Sequence, residues 1–138
     1  MPRITAVLTL GLFLCGMALA DDCHPPLKEG WQQYIVGYGS LMEAKSKQMT
    51  EPNAGESRPV RVTGFRREWN LHGTFPTTFL GVREDASAQM VAALYRAELI
   101  DGKIGADARE FSYCRAPVDP GSVSTLDGSE LPTQSQIW

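Results

Sequence analysis

The stretch Tyr34-Ile35-Val36-Gly37-Tyr38-Gly39-Ser40-Leu41-Met42 decides how this chain folds. Tyr34, Ile35 and Val36 are aromatic or β-branched and suit a pleated, half-buried strand. Gly37 and Gly39 then permit a positive φ or a close approach of backbone to a ligand. Ser40 and Glu43 have capping-box spacing, which predicts a helix from Leu41 to about Met49. A strand passing through glycines into a helix start gathers unpaired N–H groups at one point, which favours an anion. A tight strand-to-helix turn with no ligand accounts for the same residues.

Working outward, Asp21 to Gly30 with its Pro25-Pro26 pair reads as an extended lead-in, and Trp31 to Gly37 as the first strand. Residues 50–57 hold Pro52, Asn53 and Gly55 and read as a loop. Val60 to Leu71 reads as a long strand. Its apolar phase shifts by one residue between Val62 and Phe65, which predicts a bulge at Gly64. Arg67 then falls in line with Phe65 and Trp69. A charge there is either paired in a cavity or at a sheet edge in water. His72 to Pro76 reads as a turn, Thr77 to Val82 as a strand and Arg83 to Ser87 as a turn. Ala88 to Leu99 is rich in helix formers yet also fits a strand buried on both faces, and its place after two strands with short turns favours the strand. Two glycines and a short helical pattern lead to Arg109-Glu110. Phe111 to Val118 reads as a strand stopped by Pro117 and Pro120, and Pro120 to Gln136 as a long loop. Ile137-Trp138 looks like the opening of another strand.

The 138 residues suit one domain, and 43% hydrophobic with 21% charged residues is ordinary globular composition. A net charge of −3 argues against a general nucleic-acid binder. The one basic cluster, Arg58, Arg61, Arg66 and Arg67, is interrupted by Glu68 and fits a solvated strand face. Residues 1–20 read as a secretory signal peptide. Arg3 supplies a basic start, Ala6 to Leu14 an apolar run, and Ala18-Leu19-Ala20 a cleavage site. The expectation is an exported protein, periplasmic or secreted, whose domain spans residues 21–138, with no membrane association after cleavage. Cleavage leaves Cys23 and Cys114, which in an oxidising compartment are a disulfide candidate or two free thiols. The spacings of His24, His72, Cys23 and Cys114 match no metal motif.

Tyr38-Gly39-Ser40-Leu41 and Asp107-Ala108-Arg109-Glu110-Phe111-Ser112-Tyr113 stand in order with Pro59 to Arg67 and Thr78 to Val82 between them. This series resembles the gamma-glutamylcyclotransferase family over roughly Tyr34 to Val118. In that family a Y-G-S-L loop holds the glutamyl moiety, and a Glu in a D-x-R-E-x-x-Y segment is the acid/base. The resemblance implies an α+β fold, a small mixed β-barrel with short helices. It also implies catalysis without metal or cofactor on a small-molecule γ-glutamyl substrate. Glu110 takes the catalytic role, and Tyr38, Gly39, Ser40 and Leu41 bind substrate. Arg67 and Tyr113 are further pocket candidates, with core packing the other role for Tyr113. Family members continue past Ile137-Trp138 with another barrel strand, so the expectation is a C-terminally truncated barrel of marginal stability. Two other readings stay open. One is a secreted, non-catalytic binding module of the same fold. The other is an enzyme of that fold acting on a different acyl or amine group. For Glu110 itself, a solvated charge pair with Arg109 is the plain alternative.

Overall fold

The computed structural model describes residues 23–72 and 76–138. The expected signal peptide and cleavage site, with Cys15 and Asp21, lie outside the described residues, as does the centre of the turn expected at His72 to Pro76. The elements run β1 (Gln32–Gly37), a 3₁₀ turn (Gly39–Met42), α1 (Ala44–Gln48), β2 (Arg58–His72), β3 (Thr78–Arg96), β4 (Leu99–Ile100) and β5 (Lys103–Ile104). They continue with α2 (Ala106–Arg109), a second 3₁₀ turn (Pro120–Ser122), β6 (Val123–Thr125) and β7 (Ser135–Ile137). Five strands form one sheet in the order β6-β2-β3-β1-β7, and β4 and β5 form a separate hairpin. β1 and β7 are parallel; the other pairs are antiparallel.

The fold class is α+β, as expected. The closed barrel is not: β6 and β7 are the two edges of an open sheet. Each edge strand is three residues long, and among the described residues no pairing joins the two. Both segments fall where a loop was expected or a strand was only beginning. β7 forms because Gln32, Gln33 and Tyr34 of β1 offer it a parallel partner. Trp138 extends the pairing, its N–H donating to the Tyr34 carbonyl at 3.0 Å.

β1 is buried on both faces, which explains why it reads as a continuous apolar run. Tyr34 and Val36 join Val60, Val62, Met90, Ala92, Leu94 and Ile137 on one face. Ile35 joins Tyr95, Ile104, Ala106 and Trp138 on the other. The second cluster anchors α2 and with it the loop that follows.

The bulge at Gly64 is present, with φ +87°. Thr63 pairs with Gln89 and Phe65 with Glu84, so Gly64 faces residues 85–88 of β3. The turn expected at Arg83 to Ser87 is the other side of this same irregularity. The Asp85 carboxylate accepts from the Ser87 N–H and hydroxyl at 3.0 and 2.7 Å and from Arg66 Nε at 2.8 Å. Those bonds fold a turn into the strand without ending it, so β3 runs unbroken for 19 residues. β6 covers only Val60 to Val62 of β2, and β1 covers only Ala93 to Arg96 of β3. The distal β2–β3 ribbon therefore projects beyond the sheet, and Trp69, expected on the apolar face, is 70% exposed.

A buried carboxylate that no sequence pattern announced braces the base of α2. Glu51 is fully buried and accepts from the Tyr95 hydroxyl at 2.9 Å and the Glu98 N–H at 3.0 Å. Burial pushes its pKa up, opposed by those two hydrogen bonds. Glu51→Ala would leave two buried donors without an acceptor, an expected loss on the order of 3 kcal/mol in urea unfolding. Glu51→Gln isolates the charge. Because the folded-state pKa is raised, the stability tied to this group is full below the unfolded pKa and is lost as pH rises through the folded one. Gln does not ionise, so its stability relative to the unmutated protein should improve as pH rises above the ordinary 4.5 of a glutamate.

Candidate functional site

The strand-to-turn stretch and the segment after α2 meet at a cavity of about 140 Å³. Tyr38, Ser40 and Leu41 line it from one side, and Glu110 and Tyr113 from the other. Apolar side chains, among them Val62, Phe65 and Met90, form the rest of the wall with Asp107 and Arg115.

The local turn differs from the expected one. The helix does not start at Leu41, and Ser40 is not its cap. The chain makes a 3₁₀ turn over Gly39–Met42, and Glu43 caps α1 by accepting from Lys45 N and Ser46 N at 3.1 and 2.6 Å. Gly39 has φ +59°, a conformation that side chains disfavour. A Cβ on Gly37 would lie 2.8 Å from Leu41 Cβ, so this position admits no side chain without moving the turn. The Leu41 N–H is committed to the Tyr38 carbonyl at 3.3 Å. Of the backbone donors in Gly39-Ser40-Leu41, that leaves the Gly39 and Ser40 N–H groups for an anion.

Phe111 to Val118 is not a strand. The segment is irregular and is pinned at points along its length. Cys114 is disulfide-bonded to Cys23 across 91 residues. The Tyr113 hydroxyl donates to the Leu80 carbonyl at 2.9 Å, and the Val118 N–H to the Ile137 carbonyl at 2.8 Å. Arg115 stacks over the Trp138 ring at 4.6 Å, lies 3.0 Å from Asp107 and donates to the Pro25 carbonyl at 2.9 Å. These ties hold Glu110 and Tyr113 against the cavity in place of a ladder of strand bonds.

The Glu110 side chain is about three-quarters buried, and that desolvation raises its pKa; Arg109, with Nε 3.3 Å from the carboxylate, opposes the shift. The Tyr38 hydroxyl is pushed up to about 12, chiefly by burial and then by Tyr113 and Glu110. It therefore keeps its proton at neutral pH and is a hydrogen-bond donor. The Tyr38 and Tyr113 rings meet edge to face, 6.5 Å between centroids.

Tyr38, Ser40, Leu41, Glu110 and Tyr113 thus share one cavity, with Gly39 in the turn between them. Arg67 does not join them. It is exposed on the projecting ribbon, opposite Val82, because the strand leaves the sheet before reaching it. Cys23 and Cys114 are bonded to each other, so neither thiol is free to ligate a metal. Among the described residues no three His, Cys, Asp or Glu side chains gather as a metal-binding set. Sequence reasoning missed the reach of Arg109 beyond Glu110. Its Nη2 donates to Ser40 Oγ at 2.8 Å and Ser46 Oγ at 2.7 Å.

No family model and no curated protein matches the chain. Its fold is similar to the solution structure of a protein from Arabidopsis thaliana, with a TM-score of 0.54 and 17% identity. The match covers 80% of this chain and 71% of that one. At that identity the likeness concerns the fold alone.

Proposed function

We infer that this chain is a gamma-glutamylcyclotransferase-type enzyme, which converts a γ-glutamyl amine or peptide to 5-oxoproline and the free amine. The observation that carries this reading is the pairing of a desolvated Glu110 carboxyl with the Tyr38-Gly39-Ser40-Leu41 turn across one small cavity. The substrate's own α-amine attacks its γ-carbonyl carbon, the five-membered ring closes, and the bond to the leaving nitrogen breaks. The reaction is intramolecular, so holding the glutamyl chain folded supplies much of what is needed. Glu110 accepts the proton lost by the attacking nitrogen and returns it to the leaving nitrogen. A carboxyl with a raised pKa suits that double task. The Gly39 and Ser40 N–H groups and the protonated Tyr38 hydroxyl are donors for the α-carboxylate or the developing oxyanion. The sheet here is open, and the cavity lies against β1, β2 and β3.

A binding module of the same fold is the second reading. It is favoured by the Arg109–Glu110 ion pair, which already satisfies one side of the carboxylate. Incubating the exported protein with glutathione, γ-glutamyl dipeptides and γ-glutamylamines separates the two. Release of 5-oxoproline from any of them supports the enzyme; binding without product supports the module. As Glu110 must be ionised to act, and burial raises its pKa, kcat/KM should fall as pH drops through a value above the ordinary 4.5 of a glutamate.

A further inference from the structure

The mechanism above employs Glu110 and the Tyr38–Leu41 turn but gives no task to Arg109, which stands between them. α2 is a single turn, four residues long, and cannot fix its own orientation over the cavity. The Arg109 guanidinium reaches across instead. Nη2 lies 2.8 Å from Ser40 Oγ and 2.7 Å from Ser46 Oγ, Nη1 donates to the Ser46 carbonyl, and Nε lies 3.3 Å from Glu110 Oε1. One planar fork thereby joins the substrate-side turn, the start of α1 and the carboxylate. Resting on the cyclotransferase reading, we propose that Arg109 is a positioning residue that sets the Glu110 carboxylate in register with the glutamyl-holding turn and places a positive charge beside it.

The charged and titratable groups around Glu110 support the second half of that role. Tyr38, Tyr95 and Tyr113 face it from three other parts of the chain, and all three are driven toward the neutral form by burial. Asp107 and Arg115 line the same cavity but are paired with each other at 3.0 Å. Arg109 supplies the positive charge that opposes the effect of burial on Glu110. The first half rests on the fork itself, because an ammonium group cannot reproduce several planar hydrogen bonds at once.

The two roles separate by substitution. Arg109→Lys keeps the charge and loses the fork; Arg109→Gln loses both. Two readouts are needed: kcat/KM for 5-oxoproline release against pH, and the titration midpoint of the Glu110 side chain followed by NMR of ¹³C-labelled glutamate, with Glu110→Gln used to assign the signal. Both variants should lose on the order of 10²-fold in kcat/KM on the plateau, as expected when the reacting groups are misplaced. In Arg109→Gln the acid limb and the NMR midpoint should both move to higher pH; in Arg109→Lys neither should move. A strut with no electrostatic role would lower stability and leave limb and midpoint where they are in both variants, and that result overturns the proposal. If the unmutated protein makes no 5-oxoproline, the cyclotransferase reading falls by itself. The NMR midpoint still decides Arg109: an upward move in the Gln variant alone upholds the pairing, and no move ends it.

Discussion

Replacing Glu110 with Gln is expected to lower 5-oxoproline release by about 10²–10⁴-fold, the usual contribution of one general acid–base. Gln keeps the size of the side chain and one acceptor oxygen, so the Arg109 contact at 3.3 Å has a partner to retain. It cannot take a proton from the attacking amine or return one to the leaving nitrogen. Binding of a γ-glutamyl ligand should therefore be largely preserved while kcat collapses, the signature of a group that acts in the transition state. Ser40→Pro makes a useful contrast. It removes a backbone donor from the 3₁₀ turn and should raise KM. Turnover by Glu110→Gln near the unmutated rate would make Glu110 a structural partner of Arg109 and displace the chemistry from this cavity.

The second large effect concerns the Cys23–Cys114 disulfide, which closes a loop spanning 91 residues. In the chain-entropy account such a cross-link contributes about 4–5 kcal/mol by restricting the unfolded chain. A Cys23→Ser, Cys114→Ser double variant should lose up to that amount, read as a lower urea midpoint with an otherwise cooperative transition. The bond also has a local consequence. Cys114 sits between Tyr113 and Arg115 on the cavity wall, in a segment without regular structure. The Arg115 N–H donates to the Cys23 carbonyl at 2.9 Å, so the lead-in and the site segment are held edge to edge. Loss of the bond should raise KM as well as lower stability. An unchanged urea midpoint for the double variant would count against the first effect, and an unchanged KM against the second.

Signals carried within a few residues were legible. The apolar run of β1 and its glycines located the turn, and the phase shift around Gly64 located the bulge; the disulfide, across 91 residues, was legible only as a candidate from the cysteine count. Tyr38, Ser40, Leu41 and Glu110, singled out from the sequence, do line one cavity. What failed depended on partners distant in sequence. β6 and β7 are each three residues long and exist because β2 and β1 offer them edges. Phe111 to Val118 has strand-like composition, yet its bonds go to Leu80, Cys23 and Ile137, so no ladder forms. Arg67 matched the apolar period, but the ribbon carries it off the sheet. Glu51 lies in the stretch read as a loop, and its burial follows from Tyr95 and Glu98, more than forty residues on. The reach of Arg109 to Ser40 and Ser46 likewise follows from where α2 docks.

The most direct test of the proposed chemistry is the fate of oxygen. The protein is incubated with a γ-glutamyl dipeptide in ¹⁸O-labelled water, and the products are identified by mass spectrometry. Ring closure by the substrate's own amine predicts 5-oxoproline with no label beyond that of an enzyme-free control. Glutamate carrying one heavy oxygen in its γ-carboxylate would instead mean that water is the nucleophile, and would contradict the account.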